Sequence, residues 1–116
     1  MAITARYDVG PVAPMGETRR VIIVSGTFEV DPAQRDEFLA ERHERMRTSR
    51  AEAGCLEYTF SADPLDPGRV LLFERWEGQA ELDAHLAGPP GPPTVVAADR
   101  YTITLYDVVG ERPLGG

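Results

Sequence analysis

Residues 70–86, VLLFERWEGQAELDAHL, join a strand pattern to a helix pattern across one short turn. The first part is apolar and rich in large side chains, as in a buried strand, and it ends at Trp76. The turn is Glu77-Gly78, and a helix is predicted from Gln79 to Ala87 because apolar positions recur there at i, i+3 and i+4. Those positions are Leu82, His85 and Leu86. The stretch therefore predicts a strand-to-helix junction with His85 on the inner face of the helix.

Three further segments have strand patterns. Residues 21–30, VIIVSGTFEV, are rich in β-branched side chains, and residues 55–62, CLEYTFSA, alternate apolar and polar side chains. The Asp- and Pro-rich cluster at 63–68 is typical of a turn, so residues 55–62 and 69–76 are predicted to form an antiparallel hairpin. Residues 101–109, YTITLYDVV, are predicted to be the last strand.

A long helix is predicted between the first two strands. Asp31-Pro32 suits a helix start, since Asp caps free amides and Pro fits the first turn. The helix is expected from Ala33 to about Ala53, and Gly54 is expected to end it. Its inner stripe at helical spacing is Leu39, His43, Met46, Arg50 and Ala53. This spacing predicts that His43 faces the sheet.

The order of these elements is that of a ferredoxin-like α+β fold, βαββαβ, with a four-stranded antiparallel sheet and helices on one face. Residues 21–110 form this domain, residues 1–20 are expected to be a flexible arm, and residues 111–116 a tail. The uncovered sheet face is expected to include Ile22, Val24 and Phe28. So much exposed apolar surface predicts a homodimer through the open sheet face.

The composition excludes several classes of function. With 12 basic and 19 acidic residues, the net charge of -7 argues against binding to nucleic acid or anionic membranes, and small neutral or aromatic partners fit better. The chain contains no lysine, so Schiff-base chemistry is excluded. The single cysteine, Cys55, excludes an intrachain disulfide and a cysteine-rich zinc site. Phosphate-binding glycine motifs are also missing, so no nucleotide cofactor is expected.

The location of the protein is predicted only by default. No apolar run approaches the ~20 residues needed to span a bilayer. Residues 1–20 lack a basic start followed by an apolar block, which a secretory signal would need. A cytoplasmic protein is therefore expected.

The segments EAGCLEY at residues 52–58 and FERW at residues 73–76, followed by His85, resemble the antibiotic biosynthesis monooxygenase domain family. The resemblance extends over residues 21–109. It implies a dimeric α+β barrel with a cavity between sheet and helices in each subunit. For some members it also implies oxidation of polycyclic phenols to quinones without a cofactor, with molecular oxygen as co-substrate.

One branch of this family degrades haem with an Asn on the first strand and with a Trp and a His on or after the second helix. By position, the resemblance places Ser25, His85 and Val95 at those sites. Since the chain contains no asparagine, no shift of the alignment restores the amide. Haem degradation is therefore rejected.

Candidate catalytic residues are His85 and His43, the only histidines of the chain. Oxygen reacts readily with an electron-rich anion such as a phenolate, so such an enzyme needs a base, and histidine titrates near pH ~6.5. The two histidines, with Ser25 and Trp76, are expected to border one cavity. Each also fits plain packing at the edge of the core.

Candidate substrate-binding residues are those that could hold a flat ring or its oxygen: Trp76, Ser25, Tyr58, Phe73 and Tyr101. Aromatic side chains on strands are often plain core, so packing is the alternative for most of them. Glu74 interrupts an apolar face of its strand, and its burial would require a partner, for which an arginine is expected.

Three functions fit these observations. The first is a cofactor-independent monooxygenase that oxidises an aromatic phenol or quinol. The second is a dimeric module that binds a small ligand or serves in stress without catalysis, because a fold does not fix a function. The third is a histidine-dependent isomerase of a lactone or furanone.

Overall fold

The computed structural model describes residues 20–115, which contain four strands and two helical crossovers. In chain order the elements are β1 (Ile22–Glu29), a 3-10 turn (Pro32–Gln34), α1 (Arg35–Ala40), α2 (His43–Arg50), β2 (Cys55–Ala62), β3 (Arg69–Trp76), α3 (Gln79–Ala87) and β4 (Arg100–Asp107). The predicted bounds of β2, β3 and α3 are confirmed, and those of β1 and β4 agree within two residues.

The four strands form one antiparallel sheet in the order β2-β3-β1-β4. The central strand β1 pairs with β3, Ile22 opposite Trp76, and on its other side with β4, Ile22 opposite Asp107. This order and the two helical crossovers confirm the predicted ferredoxin-like α+β fold.

One face of the sheet is covered by the helices. Ile22, Val24 and Phe28 of β1 are buried on this face, and the Phe28 ring centroid lies 5.7 Å from that of Phe38 in α1. The prediction that these three residues belong to the uncovered face is wrong. The set that alternates with them on β1 includes Ser25 and Thr27, so the helices cover the more apolar of the two faces, as burial of apolar surface favours.

The open face carries the residues that alternate with this core. Its members on β1 and β3 include Ile23, Ser25, Thr27, Leu71 and Phe73. Ser25 and Phe73 are directly opposite each other in the register. The open face is therefore mixed in polarity, with two large exposed aromatic rings, Phe73 and Tyr106, the latter on β4 opposite Ile23.

The first helical crossover is broken, and the prediction of one continuous helix from Ala33 to Ala53 is wrong. The cap is confirmed, since Asp31 Oδ1 accepts the Ala33 N–H at 2.9 Å. At the break, the backbone N–H of Arg42 donates to the Leu39 carbonyl at 3.0 Å. The Arg42 guanidinium donates a second hydrogen bond, to the Phe38 carbonyl at 2.8 Å. The turn directs Phe38 toward the sheet.

Gly54 closes this crossover in a conformation that requires glycine. Its φ is +80°, in the left-handed region, and a Cβ at this position would overlap the Cγ of Glu81 in α3. The Gly54 carbonyl accepts the Glu77 N–H at 2.8 Å. Gly54 therefore ties the end of the first crossover to the start of the second.

The predicted arm, except for Arg20, lies outside the described residues. Residues 111–115 are exposed and belong to no helix or strand. Within residues 20–115, no helix combines the length and the apolar character needed to cross a membrane.

Candidate active site

The helix α3 places His85 in the interior. His85 and Leu82 are buried on its inner face, with His85 4% exposed, whereas Leu86 points outward. The imidazole lies against the Trp76 indole of β3, with ring centroids 4.7 Å apart, and 5.5 Å from the Tyr58 ring of β2. The strand-to-helix junction thus brings three of the predicted site residues into contact.

Both nitrogens of His85 have charged partners. Nδ1 lies 2.6 Å from Oε1 of Glu52, and Nε2 lies 3.1 Å from Nη2 of Arg45. A guanidinium can only donate, so Nε2 must accept, and the ring proton must be on Nδ1, which donates to Glu52. His85 is therefore a neutral imidazole whose only lone pair is taken by Arg45.

A second buried carboxylate lies close to this chain of contacts. Glu74 of β3 is buried, and its Oε1 accepts the indole N–H of Trp76 at 2.9 Å. Burial raises the pKa of the Glu74 carboxyl, and the hydrogen bond from Trp76 opposes that rise. Glu74 has the partner that its burial requires, but that partner is an indole two residues along the strand rather than the expected arginine.

Replacing Glu74 with glutamine is expected to flatten the pH dependence of stability. Because the folded pKa is raised above its ordinary 4.5, the folded chain holds this proton more tightly than the unfolded chain. That stabilisation is complete below the unfolded pKa and is lost as the pH rises through the folded pKa. The unfolding free energy of the wild type, relative to Glu74→Gln, should fall as the pH rises above about 4.5 in urea titrations.

The matched control for this variant is Glu57→Gln on β2, which also removes one carboxylate. Glu57 is exposed and pairs with Arg75 at 3.0 Å. A Glu57→Gln variant that reproduces the Glu74→Gln slope would show that net charge, rather than burial of Glu74, causes the effect.

A cavity of about 300 Å³ lies next to these residues, between the α1–α2 turn, β2 and the loop after α3. Its lining consists of Glu41, Arg42, Arg45, Tyr58, Phe60, Pro90, Gly91, Pro92 and Thr94. The Glu41 carboxylate accepts hydrogen bonds from the N–H groups of Val95 and Val96, at 2.9 and 3.0 Å. The cations of the cavity are therefore Arg42 and Arg45, beside aromatic walls.

Tyr58 joins the cavity to the buried cluster. Burial raises the pKa of its phenol, the charge of Glu74 adds to this, and Arg45 and Ser49 oppose it. Ser49 approaches this phenol, but its buried hydroxyl makes no hydrogen bond of good geometry among the described residues. At neutral pH, Tyr58 is thus a protonated phenol at the cavity wall.

The loop after α3 holds Arg45 in place. Nη1 of Arg45 donates to the Pro89 carbonyl at 3.2 Å. Gly91 packs on the aliphatic stem of Arg45, so that an added Cβ would lie 3.3 Å from its Cδ. The proline- and glycine-rich loop therefore forms one wall of the cavity and positions the residue that contacts His85.

Other chemistry finds little support in the described part of the chain. Residues 20–115 contain no group of three or more His, Cys, Asp or Glu side chains placed to hold a metal ion. Burial raises the pKa of the Cys55 thiol, with further contributions from the charges of Glu52 and Glu74. A raised pKa disfavours the thiolate, which is the nucleophilic form of cysteine.

The family model described as antibiotic biosynthesis monooxygenase matches residues 21–90, which is more than half of the chain. The chain belongs to the antibiotic biosynthesis monooxygenase family. The matched region extends from β1 through α3, so it includes Glu52, His85 and Arg45.

Two relatives share part of this region. The Synechocystis sp. (strain ATCC 27184 / PCC 6803 / Kazusa) protein sll1783, which is uncharacterised, is 37% identical over 68 residues, covering 59% of this chain and 46% of that protein. YcnE of Bacillus subtilis, which carries a provisional monooxygenase name, is 28% identical over 65 residues, covering 56% of this chain and 68% of that protein. The chain thus spans about half to two thirds of these relatives.

Solved structures show the same fold. A structure described as an antibiotic biosynthesis monooxygenase has a TM-score of 0.61 at 25% identity, and the match covers 77% of this chain and 99% of that one. Rv0793 from Mycobacterium tuberculosis has a TM-score of 0.64 at 23% identity, covering 80% and 99%. The latter similarity concerns the fold alone.

The remaining predicted site residues of this family member lie elsewhere. Ser25 and Phe73 are on the open sheet face, opposite to His85. His43 begins α2 and is exposed, so the prediction that it faces the sheet is wrong. Tyr101 on β4 is 65% exposed and stacks on Phe28, with centroids 5.6 Å apart. The expected cavity bounded by Ser25, both histidines and Trp76 is therefore not formed.

Trp76 is close to the site but does not face an opening. It is fully buried, and its ring contacts are to His85 and Tyr58. Its ring packs against the imidazole, and its indole N–H donates a hydrogen bond to Glu74. The ring available to a ligand at the cavity wall is instead Tyr58, with Phe60 6.0 Å from it.

Sequence reasoning missed Arg45 and Arg42, the two cations of the site. Both lay outside the inner stripe predicted for one continuous helix. The signal for Glu52 was present, because it opens the EAGCLEY segment on which the family resemblance rests. No comparable signal marked the arginines.

Proposed function

We propose that this family member is a cofactor-independent monooxygenase that oxidises an aromatic phenol or quinol to a quinone. The observation that carries the proposal is the contact chain Glu52, His85 and Arg45, which ends at an aromatic and cationic cavity. The family to which the chain belongs adds support, as does the provisional monooxygenase name of YcnE.

The proposed chemistry begins with a proton transfer. His85, oriented through Nδ1 by Glu52, accepts the phenolic proton on Nε2. The resulting phenolate is electron-rich and reacts with oxygen at a ring carbon that carries hydrogen. One oxygen atom becomes the new quinone carbonyl, and the other leaves as water with the phenolic proton and the ring hydrogen. The balance needs no further reductant.

The cavity supplies binding and charge stabilisation for this anion. Arg42 and Arg45 are the cations that would stabilise the phenolate oxygen, and the protonated Tyr58 phenol is placed to donate a hydrogen bond. A volume of about 300 Å³ is at the lower end of the range of small-ligand sites, ~300–1,000 Å³. A compact substrate with one ring or two fused rings is therefore favoured.

Oxygen consumption with a panel of hydroquinones, naphthols and anthrones, each with and without a carboxylate group, tests this function. We expect one oxygen molecule consumed per quinone formed, without added flavin, nicotinamide or metal, and with no effect of a chelator. Chromatography of the product should detect the quinone. If no member of the panel is converted at saturating concentration, the proposal is rejected.

One observation favours a second candidate, a non-catalytic small-ligand-binding module. His85 is buried, and its single lone pair is occupied by Arg45, so the resting site resembles a satisfied polar core. Tight binding of panel members without any product would support this alternative over oxidation.

The proposed assembly is a homodimer in which a second copy covers the open sheet face. This face exposes Phe73, next to the apolar side chains of Ile23 and Leu71. Sedimentation equilibrium should show a dimer for the wild type and a monomer for Phe73→Glu. A wild-type monomer at micromolar concentration would reject this assembly.

A further inference from the structure

We infer that Arg45 is an anion-operated latch: a negatively charged group that enters the cavity draws the guanidinium away from Nε2 of His85 and uncovers the imidazole lone pair. The catalytic use of the exposed Nε2 of His85 rests on the proposed function. The displacement of Arg45 does not, because it is a binding event that can be observed without turnover. The inference names the substrate class of this site as phenols or quinols that also carry an anionic group, which displaces Arg45 before His85 takes the phenolic proton.

Arg45 lines the cavity and occupies the lone pair of His85. Its Nη2 faces Nε2 of His85 at 3.1 Å, and its Nη1 faces the Pro89 carbonyl at 3.2 Å. Both acceptors are neutral, and within residues 20–115 no carboxylate forms an ion pair with Arg45. The guanidinium charge is therefore left without an opposite charge in direct contact.

An anionic ligand offers Arg45 a better partner than it has. A carboxylate binds a guanidinium through two parallel hydrogen bonds and also balances its charge, whereas the imidazole and the backbone carbonyl each accept one bond and carry no charge. The cavity wall already includes Arg45, so the exchange needs only a side-chain rotation. A neutral ligand of the same shape offers no such gain and would leave the contact with His85 intact.

The neighbouring arginine is held more firmly. The Arg42 guanidinium lies 3.3 Å from the centre of the Phe38 ring and donates to the Phe38 carbonyl at 2.8 Å. It therefore provides a fixed positive charge that attracts the anion, while Arg45 is the side chain that moves.

His85 does not need to move when Arg45 leaves. Glu52 holds its Nδ1–H at 2.6 Å, and the Trp76 ring supports it at 4.7 Å. Once the guanidinium has rotated, Nε2 carries a free lone pair directed toward the space that Arg45 occupied. Binding of the anion thus couples occupancy of the cavity to availability of the base.

The first test compares the binding of 2-naphthoate with that of its neutral isostere 2-naphthamide by calorimetry on the full chain. We expect the wild type to bind the carboxylate at least ~10-fold more tightly, because the contact is charge-assisted. Arg45→Met, which keeps the aliphatic stem against Gly91, should lose ~10-fold or more for 2-naphthoate and remain within about twofold for 2-naphthamide.

The matched control is Arg47→Met on the same helix. Arg47 is exposed and pairs with Glu44 at 3.0 Å, so its removal also deletes one cation and should leave both affinities unchanged. Arg45→Lys restores the charge and should recover part of the 2-naphthoate affinity. This variant separates a loss of charge from a loss of fold.

The second test observes the exchange itself by nitrogen NMR of the imidazoles. In the wild type, 2-naphthoate should shift Nε2 of His85 from a hydrogen-bonded to a free acceptor position, whereas 2-naphthamide should not. In Arg45→Met the free position should be present without ligand. The exposed His43 is the internal reference.

Several outcomes overturn the latch: 2-naphthoate fails to bind at millimolar concentration, it binds Arg45→Met as well as the wild type, or it binds without shifting Nε2. If the exchange is observed but no quinol consumes oxygen, the latch stands and the proposed oxidation fails. If oxidation occurs without the exchange, the oxidation stands and the latch fails.

Discussion

Turnover of a quinol substrate is expected to fall by ~10²–10⁴-fold when His85 is replaced with glutamine, because general-base catalysis by a positioned side chain contributes about that factor. The glutamine amide can still bond to Glu52, but it has no basic nitrogen to take the phenolic proton. Since proton removal belongs to the chemical step, kcat should fall while KM changes little. Initial rates of oxygen consumption measure both constants.

His43→Gln is the matched control, because it makes the same chemical change at the only other histidine. His43 is exposed at the start of α2, away from the cavity lining, so its replacement should leave the rate within about twofold. Equal losses in the two variants would point to a general effect on the protein. An unchanged rate in His85→Gln would remove His85 from the mechanism.

The sheet and the second helix could be predicted from local patterns. Residues 55–62 alternate, 69–76 form an apolar run, and a Pro- and Asp-rich turn separates them, so the hairpin was specified by neighbouring residues. Glu77-Gly78 and the proline-rich segment after Ala87 bounded α3 in the same way. These signals also placed Trp76 and His85 at one junction, where the structure stacks them.

The break in the first crossover was not predicted, and only part of what holds it is local in sequence. The Glu41 carboxylate binds N–H groups of Val95 and Val96, which lie more than 50 residues further along the chain. The break changes the direction of α2, so His43 turns outward and Arg45 turns toward His85. The candidate catalytic and binding residues of this segment were therefore the ones wrongly placed.

The sheet faces show a related limit. Alternation correctly divided β1 into two sets, yet Ser25 and Phe73 were grouped with residues of the other face. Strand parity fixes which residues share a face, but the helices decide which face becomes the interior. On β1 the interior set is the more apolar one, with Ile22, Val24 and Phe28 buried, as burial of apolar surface favours.

The unpredicted helix break and the wrong choice of sheet face affect the predicted site more than the predicted fold. The ferredoxin-like order survives a kinked helix, but a site assembled from three elements depends on the angle of each. Glu52, Arg45 and His85 come from the end of the first crossover, from α2 and from α3, and their contacts are 2.6 and 3.1 Å long. Hydrogen bonds of this length disappear with a rotation of one helix by a single residue.

Replacing Phe38 with alanine is expected to lower the free energy of unfolding by ~3–5 kcal/mol, the usual cost of removing a large buried aromatic ring. Phe38 is fully buried beneath α1, and its ring packs 5.7 Å from that of Phe28. Urea denaturation followed by tryptophan fluorescence measures the loss, since the only tryptophan, Trp76, lies in the same core cluster.

Phe38 also supports the site, because the Arg42 guanidinium rests on its ring at 3.3 Å. Phe38→Leu retains much of the apolar volume, so it should lower the free energy of unfolding less than Phe38→Ala does. It also removes the aromatic ring on which the Arg42 guanidinium rests. Leu65→Ala, at a position 92% exposed, is the control and should change stability by no more than ~0.5 kcal/mol. If Phe38→Leu binds 2-naphthoate as the wild type does, the backbone bond to the Phe38 carbonyl suffices to hold Arg42. If binding weakens while the fold persists, the aromatic ring that anchors the core also positions the cation that attracts the anion.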